Sequence, residues 1–317
     1  MRSIFVYEYL SGGGEVGDPA EAAELLPQGV AMRNALLADL CALPDLAVTA
    51  AASPVAPAPS GVKAVEPGRG ESPAAFVQRL ARGHDLSWVI APESDNVLAR
   101  LHEAVGASRW IGCTEAAICV ASSKRATLDA LAARGVATPL AFRVGHTGRW
   151  IVKPDDGAGT ANTVVHREHA AALADQRARG RAGRPATVEP FIDGEALSIS
   201  MLCGAGFVQP IAFNRQQIHE AADGTLRFLG VEPNALDART NLRAVRLHLV
   251  ALDVARALPG LRGFAGVDVV WNAEHGPVVI EVNPRVTSAY VGLSAALRRN
   301  LAGEVLQLHA LDESRHG

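Results

Sequence analysis

The first third of the chain alternates short apolar runs with longer segments of helical periodicity. The pattern predicts strands at residues 3–7 and 46–51, a buried strand at residues 86–93, and helices at residues 19–42, 72–82 and 96–105. Such alternation is typical of a parallel sheet covered by helices. A short apolar run from Trp110 marks the passage into the next part of the chain. We therefore predict an amino-terminal α/β domain.

The pattern changes near the end of the chain, where residues 267–271 and 277–283 read as a β-hairpin. Glu281 and Asn283 are two positions apart, so they project from one face of their strand. If the turn closes with an even number of residues, Asp268 lies opposite Glu281, with Cβ atoms about 4.5–5.5 Å apart. Two facing like charges destabilise a sheet, so this arrangement predicts a cation between them.

The oxygen atoms of Asp268, Glu281 and Asn283 suit Mg²⁺ or Mn²⁺ better than zinc. Such an ion usually completes its shell with substrate phosphates. Upstream, Lys153 lies on an apolar strand, and a loop with Gly157, Gly159 and Thr160 follows it. A lysine and a glycine-rich turn both suit phosphate oxygens. Further on, the spacing of two acids around an apolar pair suits a purine-holding linker; the residues are Glu189, Phe191, Ile192 and Glu195.

In this order, the segments resemble the ATP-grasp superfamily from about residue 110 to residue 295. The resemblance implies an α/β ATP-grasp fold with three parts: a parallel pre-ATP-grasp domain over residues 1–114, a small lid over 115–190, and a carboxyl-terminal α+β domain with an antiparallel sheet and the metal site over 191–317. It begins with residues 110–139, where Lys124 opens a helix that ends in a Gly-Val-x-x-Pro turn. The usual aspartate beside this lysine is here Ser123.

The same resemblance implies a role for each candidate residue. Lys124 and Lys153 would contact the phosphates of ATP. Glu189 would hold the adenine amino group, Ile192 the ring edge through its backbone, and Glu195 the ribose. The metal ligands would be Asp268, Glu281 and Asn283, with Mg²⁺ bridging the phosphates. Two catalytic cations are expected: Arg285 would stabilise the transferring phosphoryl group, and Arg215 would act as an electrostatic clamp unless it forms a surface ion pair.

Three further segments resemble the tyramine–glutamate ligases of methanofuran biosynthesis and their relatives in methylotrophic bacteria: FVYEYLSGGG, VIAPESDN and NPRVTSAYVGL. This implies an amide ligase that works through an acyl phosphate and releases ADP and phosphate. It would join L-glutamate to tyramine, tyrosine or a glutamyl chain for a methylofuran-type cofactor. Residues expected at the acceptor are Glu8, Gly13, Glu93 and Tyr290, although both acids could instead cap loops.

Net charge and cysteine pattern limit the partners and the cellular compartment that we expect for the protein. The formal net charge of −3 lies too near neutrality to indicate nucleic acid or an anionic membrane as a partner. The four cysteines include no CxxC pair and read as reduced thiols. We therefore expect a cytoplasmic enzyme acting on small molecules, with a homodimer left open. A formal GxGxxG at residues 12–17 lacks the acid that a dinucleotide fold needs after its second strand.

The alternatives are an ATP-grasp ligase for another amino acid or dipeptide, and an ATP-binding regulatory protein without catalysis. An ATP-grasp kinase or a carboxylase is a further rival, but the chain contains no biotin carrier domain. Fold class says little about substrate. The sequence leaves open the amine, the number and linkage of added glutamates, and whether one or two metal ions bind.

Overall fold

The computed structural model of the chain describes residues 1–17, 19–157 and 159–316, without the side chains of residues 19–21, 315 and 316. The amino-terminal part is a five-stranded parallel sheet in the order β3-β2-β1-β4-β5. Its elements are β1 Arg2–Glu8, α1 Pro19–Cys41, β2 Leu46–Ala51, β3 Lys63–Val65, α2 Pro73–Arg82, β4 Leu86–Ile90, α3 Val97–Val105 and β5 Trp110–Ile111. The predicted parallel α/β domain is confirmed, with β3 as an additional edge strand.

The middle of the chain forms a three-stranded antiparallel sheet in the order β7-β6-β8. Two helices precede it and a third crosses it: α4 Glu115–Ala121, α5 Lys124–Ala132, β6 Trp150–Pro154, β7 Val164–His166, α6 His169–Arg181 and β8 Ala186–Pro190. This sheet has a small core of its own, built from Trp150, Val152, Ala172 and Val188. The glycine-rich loop follows β6; its Ala158 lies outside the described residues.

The remaining strands form a five-stranded antiparallel sheet in the order β11-β10-β9-β12-β13. Its elements are β9 Glu195–Gly204, β10 Phe207–Glu220, β11 Leu226–Glu232, α7 Leu242–Ala257, β12 Gly263–Asn272, β13 Gly276–Asn283, α8 Leu293–Leu297 and α9 Leu301–His316. On one face, Leu197 and Ile199 share a core with Leu247 and Ala251 of α7. Among the described residues, no helix combines the length and apolar character that a bilayer span requires.

The hairpin of β12 and β13 confirms the pairing of Asp268 with Glu281, but the premise of an even turn was wrong. Asn272 pairs with Gly276, so residues 273–275 close the turn with an odd number. The register then shifts by one residue between Asp268 and Val269. Without this β-bulge Asp268 would lie opposite Ile280, because a bulge sets two residues against one. The bulge therefore creates the carboxylate pair.

Candidate active site

A cleft of about 320 Å³, here called the main cleft, lies between the small sheet and the antiparallel sheet. Most of the residues that the sequence predicts for nucleotide binding line it. They are Lys124, Lys153, Gly159, Thr160, Glu189, Phe191 and Ile192, together with the carboxylates of Asp268 and Glu281. The small sheet thus carries the predicted phosphate and purine residues across from the predicted metal residues.

Lys153 and Glu189 form a buried ion pair in the main cleft. Register explains the contact: Lys153 pairs with Thr187 and Ile151 with Glu189 across β6 and β8, which makes Lys153 and Glu189 diagonal neighbours on one face. The Nζ–Oε2 distance is 2.9 Å, and both residues are at least 95% buried. The Thr187 hydroxyl donates a hydrogen bond to the other carboxylate oxygen at 3.1 Å. The charges of Lys153 and Glu189 therefore neutralise each other within the cleft.

Lys124 opens α5 as predicted, and Ser123 is the amino-terminal cap of that helix. The Ser123 hydroxyl donates to the Asp155 carboxylate at 2.7 Å, so the end of β6 is tied to the start of α5. The Lys124 ammonium donates to the carbonyl of Gly157 and lies 3.2 Å from Glu281 Oε1. Because Lys124 touches both the glycine-rich loop and the hairpin, it links the two halves of the cleft.

The carboxylate of Asp268 is held by amide groups. It accepts hydrogen bonds from Gln216 Nε2 at 2.9 Å and from Asn283 Nδ2 at 3.2 Å. Burial and the adjacent charge of Glu281 raise the pKa of Asp268 to about 7. Within the described residues, no three His, Cys, Asp or Glu side chains converge, so the candidate metal donors are two carboxylates and amide oxygens. This all-oxygen set fits Mg²⁺ or Mn²⁺, and the facing charges leave a place for a cation.

A second, smaller space of about 120 Å³, here called the side cavity, adjoins the main cleft. The two share Gly159, Gln216, Phe228 and Asp268 as lining residues. Its other polar groups include Glu8, Gln28, Ser198 and Arg285, and its apolar wall includes Leu10, Val16, Leu25 and Met32. A ligand group bound beside Asp268 can thus be reached from both the main cleft and the side cavity.

Glu8 enters the side cavity from the end of β1. Its carboxylate accepts a hydrogen bond from the backbone N–H of Ser11 at 2.8 Å, and burial raises its pKa. α1 passes so close that a Cβ on Gly29 would lie 2.4 Å from Glu8 Oε1. Glycine at this position therefore makes room for the carboxylate.

Arg285 also lines the side cavity, and a carboxylate from the other domain holds it. Its Nε and one terminal nitrogen donate to the two oxygens of Glu93, each at 2.8 Å. Both side chains are at least 90% buried. Glu93 lines neither the main cleft nor the side cavity, so the structure does not bring it to the space where an incoming amine was predicted.

Glu195 and Arg215 do not reach the main cleft. Along β9, Ala196 and Ser198 face the ligand spaces, so Glu195 faces the opposite side, which α7 covers. There Arg215 and Arg243 each donate to Glu195 at 2.7 Å. Burial opposes ionisation of Glu195, but these hydrogen bonds outweigh it and lower its pKa. Arg215 also pairs with Glu232, so the ion-pair alternative for this residue is the correct one.

Two other residues predicted at the acceptor, Tyr290 and Gly13, also lie away from the side cavity. The Tyr290 ring is buried, and its hydroxyl donates to Asp39 of α1 at 2.6 Å, which leaves it no surface toward a substrate. Gly13 lies next to Pro67 and lines neither space, whereas Leu10 and Val16 of the same loop line the side cavity.

One site residue was missed. Gln216 lines both spaces and holds Asp268. Strand alternation places Gln216 and Arg215 on opposite faces of β10, and the cleft lies on the Gln216 side.

Comparison with known proteins agrees with this geometry. A family model described as the ATP-grasp domain matches residues 121–289, and one described as the pre ATP-grasp 3 domain matches residues 46–118. The chain belongs to the ATP-grasp family. The first match covers the residues of the main cleft from Lys124 to Glu281.

Two relatives are named tyramine–L-glutamate ligase. The one from Methanocaldococcus jannaschii is 28% identical over 211 residues, 66% of this chain and 58% of that protein. The one from Methanocaldococcus fervens is also 28% identical, over 66% of this chain and 61% of its own length. The chain thus spans about three fifths of the length of these relatives.

Solved structures share the fold at low identity. An ATP-grasp superfamily protein from Archaeoglobus fulgidus has a TM-score of 0.70 and 21% identity, covering 97% of this chain and 88% of that one. D-alanine–D-alanine ligase from Bacillus anthracis in complex with ATP has a TM-score of 0.67 and 15% identity, covering 100% of both chains. These likenesses confirm the ATP-grasp fold.

Proposed function

We propose that the protein is an ATP-dependent ligase that joins a carboxylate to an amine through an acyl phosphate and releases ADP and phosphate. The observation that carries the proposal is the carboxylate pair at the junction of the two spaces: Asp268 lines both, and Glu281 lines the main cleft. ATP would occupy the main cleft and the acceptor the side cavity. The reacting groups would then meet beside Asp268.

The proposed chemistry requires positioning and charge neutralisation. The γ-phosphoryl group of ATP passes to the carboxylate, and the amine then attacks the acyl carbon and displaces phosphate. Lys124 and Lys153 would contact phosphate oxygens, with Glu189, Phe191 and Ile192 around the base. Asp268, Glu281 and Asn283 would hold Mg²⁺ or Mn²⁺, which supplies charge neutralisation when bound. Arg285 would stabilise the transferring group from the side cavity.

Contacts between the glycine-rich loop, β7 and the β10–β11 hairpin would shield an acyl phosphate from water. The Phe228 N–H donates to the Thr160 hydroxyl oxygen at 2.9 Å, and Val164 forms an isolated bridge with Thr225. The loop and β7 are thus joined to the β10–β11 hairpin above the cleft. Exclusion of water favours transfer to the amine over hydrolysis.

We further propose L-glutamate as the carboxylate and tyramine, tyrosine or a glutamyl chain as the amine, in methylofuran-type cofactor biosynthesis. The names of the two relatives support this choice. The side cavity supports an amine with an apolar body, because Glu8 offers a buried carboxylate beside the apolar wall of Leu25 and Met32.

The test is incubation of the protein with ATP, Mg²⁺, L-glutamate and each amine, followed by ADP measurement and mass spectrometry. The expected result is a glutamyl amide formed with ADP, and none when any component is omitted. ADP formed with other acids or amino-acid pairs but never with glutamate would reject the substrate assignment and retain the ligase. ATP binding without ADP formation with any pair would favour the regulatory alternative.

A further inference from the structure

The two lysines of the main cleft are each paired with an acid for which we propose a different ligand. The chain contains three lysines, of which Lys63 is exposed on β3 and the other two are buried in the main cleft. Lys153 pairs with Glu189, the residue proposed to hold adenine. Lys124 pairs with Glu281, a residue proposed to hold the metal ion. Binding of phosphate by either lysine therefore competes with an ion pair inside the protein.

The contact between Lys124 and Glu281 bears directly on the metal site. The ammonium lies 3.2 Å from Glu281 Oε1, and the two side chains are exposed to only 5% and 12%. A Mg²⁺ ion bonded to the same oxygen at about 2.1 Å would lie no more than about 5 Å from the ammonium. Two positive charges this close repel each other strongly at a buried site, where solvent screens them little. The metal ion and the ammonium therefore compete for Glu281.

The carboxylate pair has no second cation that could replace Lys124. Asp268 accepts its hydrogen bonds from the neutral amides of Gln216 and Asn283. The guanidinium of Arg285 donates to both oxygens of Glu93 instead. Among the described residues, Lys124 is thus the cation in direct ion-pair contact with the two facing carboxylates. Its departure becomes favourable only when another cation takes its place, because two facing carboxylates without a cation repel each other.

A second contact of Lys124 points to the group that could draw it away. Its ammonium also donates to the carbonyl oxygen of Gly157 in the glycine-rich loop. A phosphate bound at this loop would lie beside the ammonium and offer it a negative partner other than Glu281. The backbone of Lys124 is fixed at the start of α5, where its N–H donates to the Asp155 carbonyl oxygen at 2.8 Å. The flexible side chain can therefore change partners while the helix stays in place.

We propose that Lys124 blocks the metal site of the nucleotide-free protein and that a nucleotide phosphate opens this site by drawing the ammonium away from Glu281. The metal ion then binds together with the phosphate and not before it. This coupling rests on the proposed nucleotide and metal site, but not on the identity of the substrates that are joined. Thermodynamic linkage requires the metal ion to strengthen nucleotide binding by the same factor as the nucleotide strengthens metal binding.

Mn²⁺ binding to the full chain, measured by electron paramagnetic resonance of the free ion, tests the proposal without catalysis. In the absence of nucleotide, the wild-type chain should bind Mn²⁺ weakly. Lys124→Met should bind it at least about tenfold more tightly, because an adjacent opposite charge weakens the binding of a proton to a carboxylate by at least a similar factor. The matched control, Lys63→Met, should bind Mn²⁺ like wild type. Adding Glu281→Gln to Lys124→Met should remove the gain.

A non-hydrolysable ATP analogue measures the coupling itself. The analogue should strengthen Mn²⁺ binding in the wild-type chain, and by a smaller factor in Lys124→Met. Equal Mn²⁺ binding by these two chains without the analogue would overturn the proposal, as would wild-type binding that the analogue does not strengthen. Failure of the wild-type chain to bind the analogue at all would reject the proposed nucleotide site together with the coupling.

A comparison that keeps Lys124 in place decides the matter if Lys124→Met does not fold. Without the analogue, Glu281→Gln and wild type should bind Mn²⁺ equally weakly, because Lys124 already occupies Glu281. With the analogue, only wild type should gain affinity for Mn²⁺. A Glu281→Gln chain that binds Mn²⁺ more weakly than wild type in the absence of the analogue would show that Glu281 is open to the ion, and would overturn the proposal.

Discussion

The two faces of the antiparallel sheet both carry acidic side chains, but their charges are balanced differently. On the face beneath α7, Glu195 accepts hydrogen bonds from Arg215 and Arg243. On the cleft face, Asp268 accepts hydrogen bonds from the neutral amides of Gln216 and Asn283 and faces Glu281, which pairs with Lys124. The pKa shifts follow this difference: that of Glu195 is lowered, and that of Asp268 is raised to about 7.

The comparison distinguishes a carboxylate whose charge is neutralised by arginines from carboxylates whose charge a bound cation would neutralise. A carboxylate paired with two arginines gains little from a further cation, whereas two facing carboxylates of which only Glu281 is paired with a lysine are stabilised by a further cation. Perturbed acids in a cleft are candidates for function for this reason. We therefore propose a ligand-binding role for the cleft face and a structural role for Glu195 and Arg215.

The largest expected effect follows from removing a charge on the cleft face. Glu281→Gln keeps the shape of the side chain but weakens the proposed metal site, so turnover should fall at least ~100-fold. ADP release at saturating Mg²⁺ measures this. Glu195→Gln is the matched control on the other face. A Glu281→Gln enzyme with near-normal turnover would remove the basis for the metal assignment.

Lys153→Ala should weaken ATP binding and turnover together, because the proposed phosphate contact is lost. It should also destabilise the fold by about 3–5 kcal/mol, since Glu189 is left buried without its partner. Denaturant unfolding and the Michaelis constant for ATP measure the two effects. Lys63→Ala, at an exposed strand residue, is the control. Unchanged stability and unchanged ATP binding would together contradict the buried pair and its role.

Glu189→Ala breaks the same buried pair and should lower stability as Lys153→Ala does, but its effect on turnover should be smaller and selective for the base. A carboxylate accepts from the adenine amino group but repels the guanine carbonyl oxygen, so the preference for ATP over GTP should fall about tenfold, the scale of one hydrogen bond to a charged group. The ratio of kcat/KM for the two nucleotides measures this. An unchanged ratio would place adenine recognition elsewhere in the cleft.

Arg215→Gln should have the smallest effect. Its ion pairs are partly exposed and lie away from the cleft, so stability should change by no more than about 1 kcal/mol. The ligase rate should stay within about twofold of wild type, since exposed pairs of this kind contribute little. A loss comparable to that of Glu281→Gln would mean that the two faces do not differ in function.

The sequence predicted the elements and local pairings well because these depend on nearby residues. The limits of β2, the start of α5 at Lys124 and the facing of Asp268 with Glu281 all agree with the structure. The bulge at Ile280 could not be predicted from the sequence. The alternation of apolar and polar residues indicates which face of a strand a residue occupies, but not how the turn closes.

Long-range partners account for the predictions that failed. Glu93 and Arg285 are 192 residues apart, and Tyr290 and Asp39 are 251 apart, so their pairing depends on how domains pack. The prediction that Glu195 lies in the nucleotide site was wrong for a different reason. It is the first residue of β9, and a motif spacing across the preceding loop does not reveal which face of the sheet a strand presents first.

Titration calorimetry with a non-hydrolysable ATP analogue tests the central claim most directly, namely that the cleft face binds a metal-bound nucleotide. Wild type and Arg215→Gln should bind the analogue alike, with affinity that rises on adding Mg²⁺. Glu281→Gln should lose most of the Mg²⁺-dependent gain. The account would be contradicted if Glu281→Gln kept the full Mg²⁺ dependence, or if Arg215→Gln lost it.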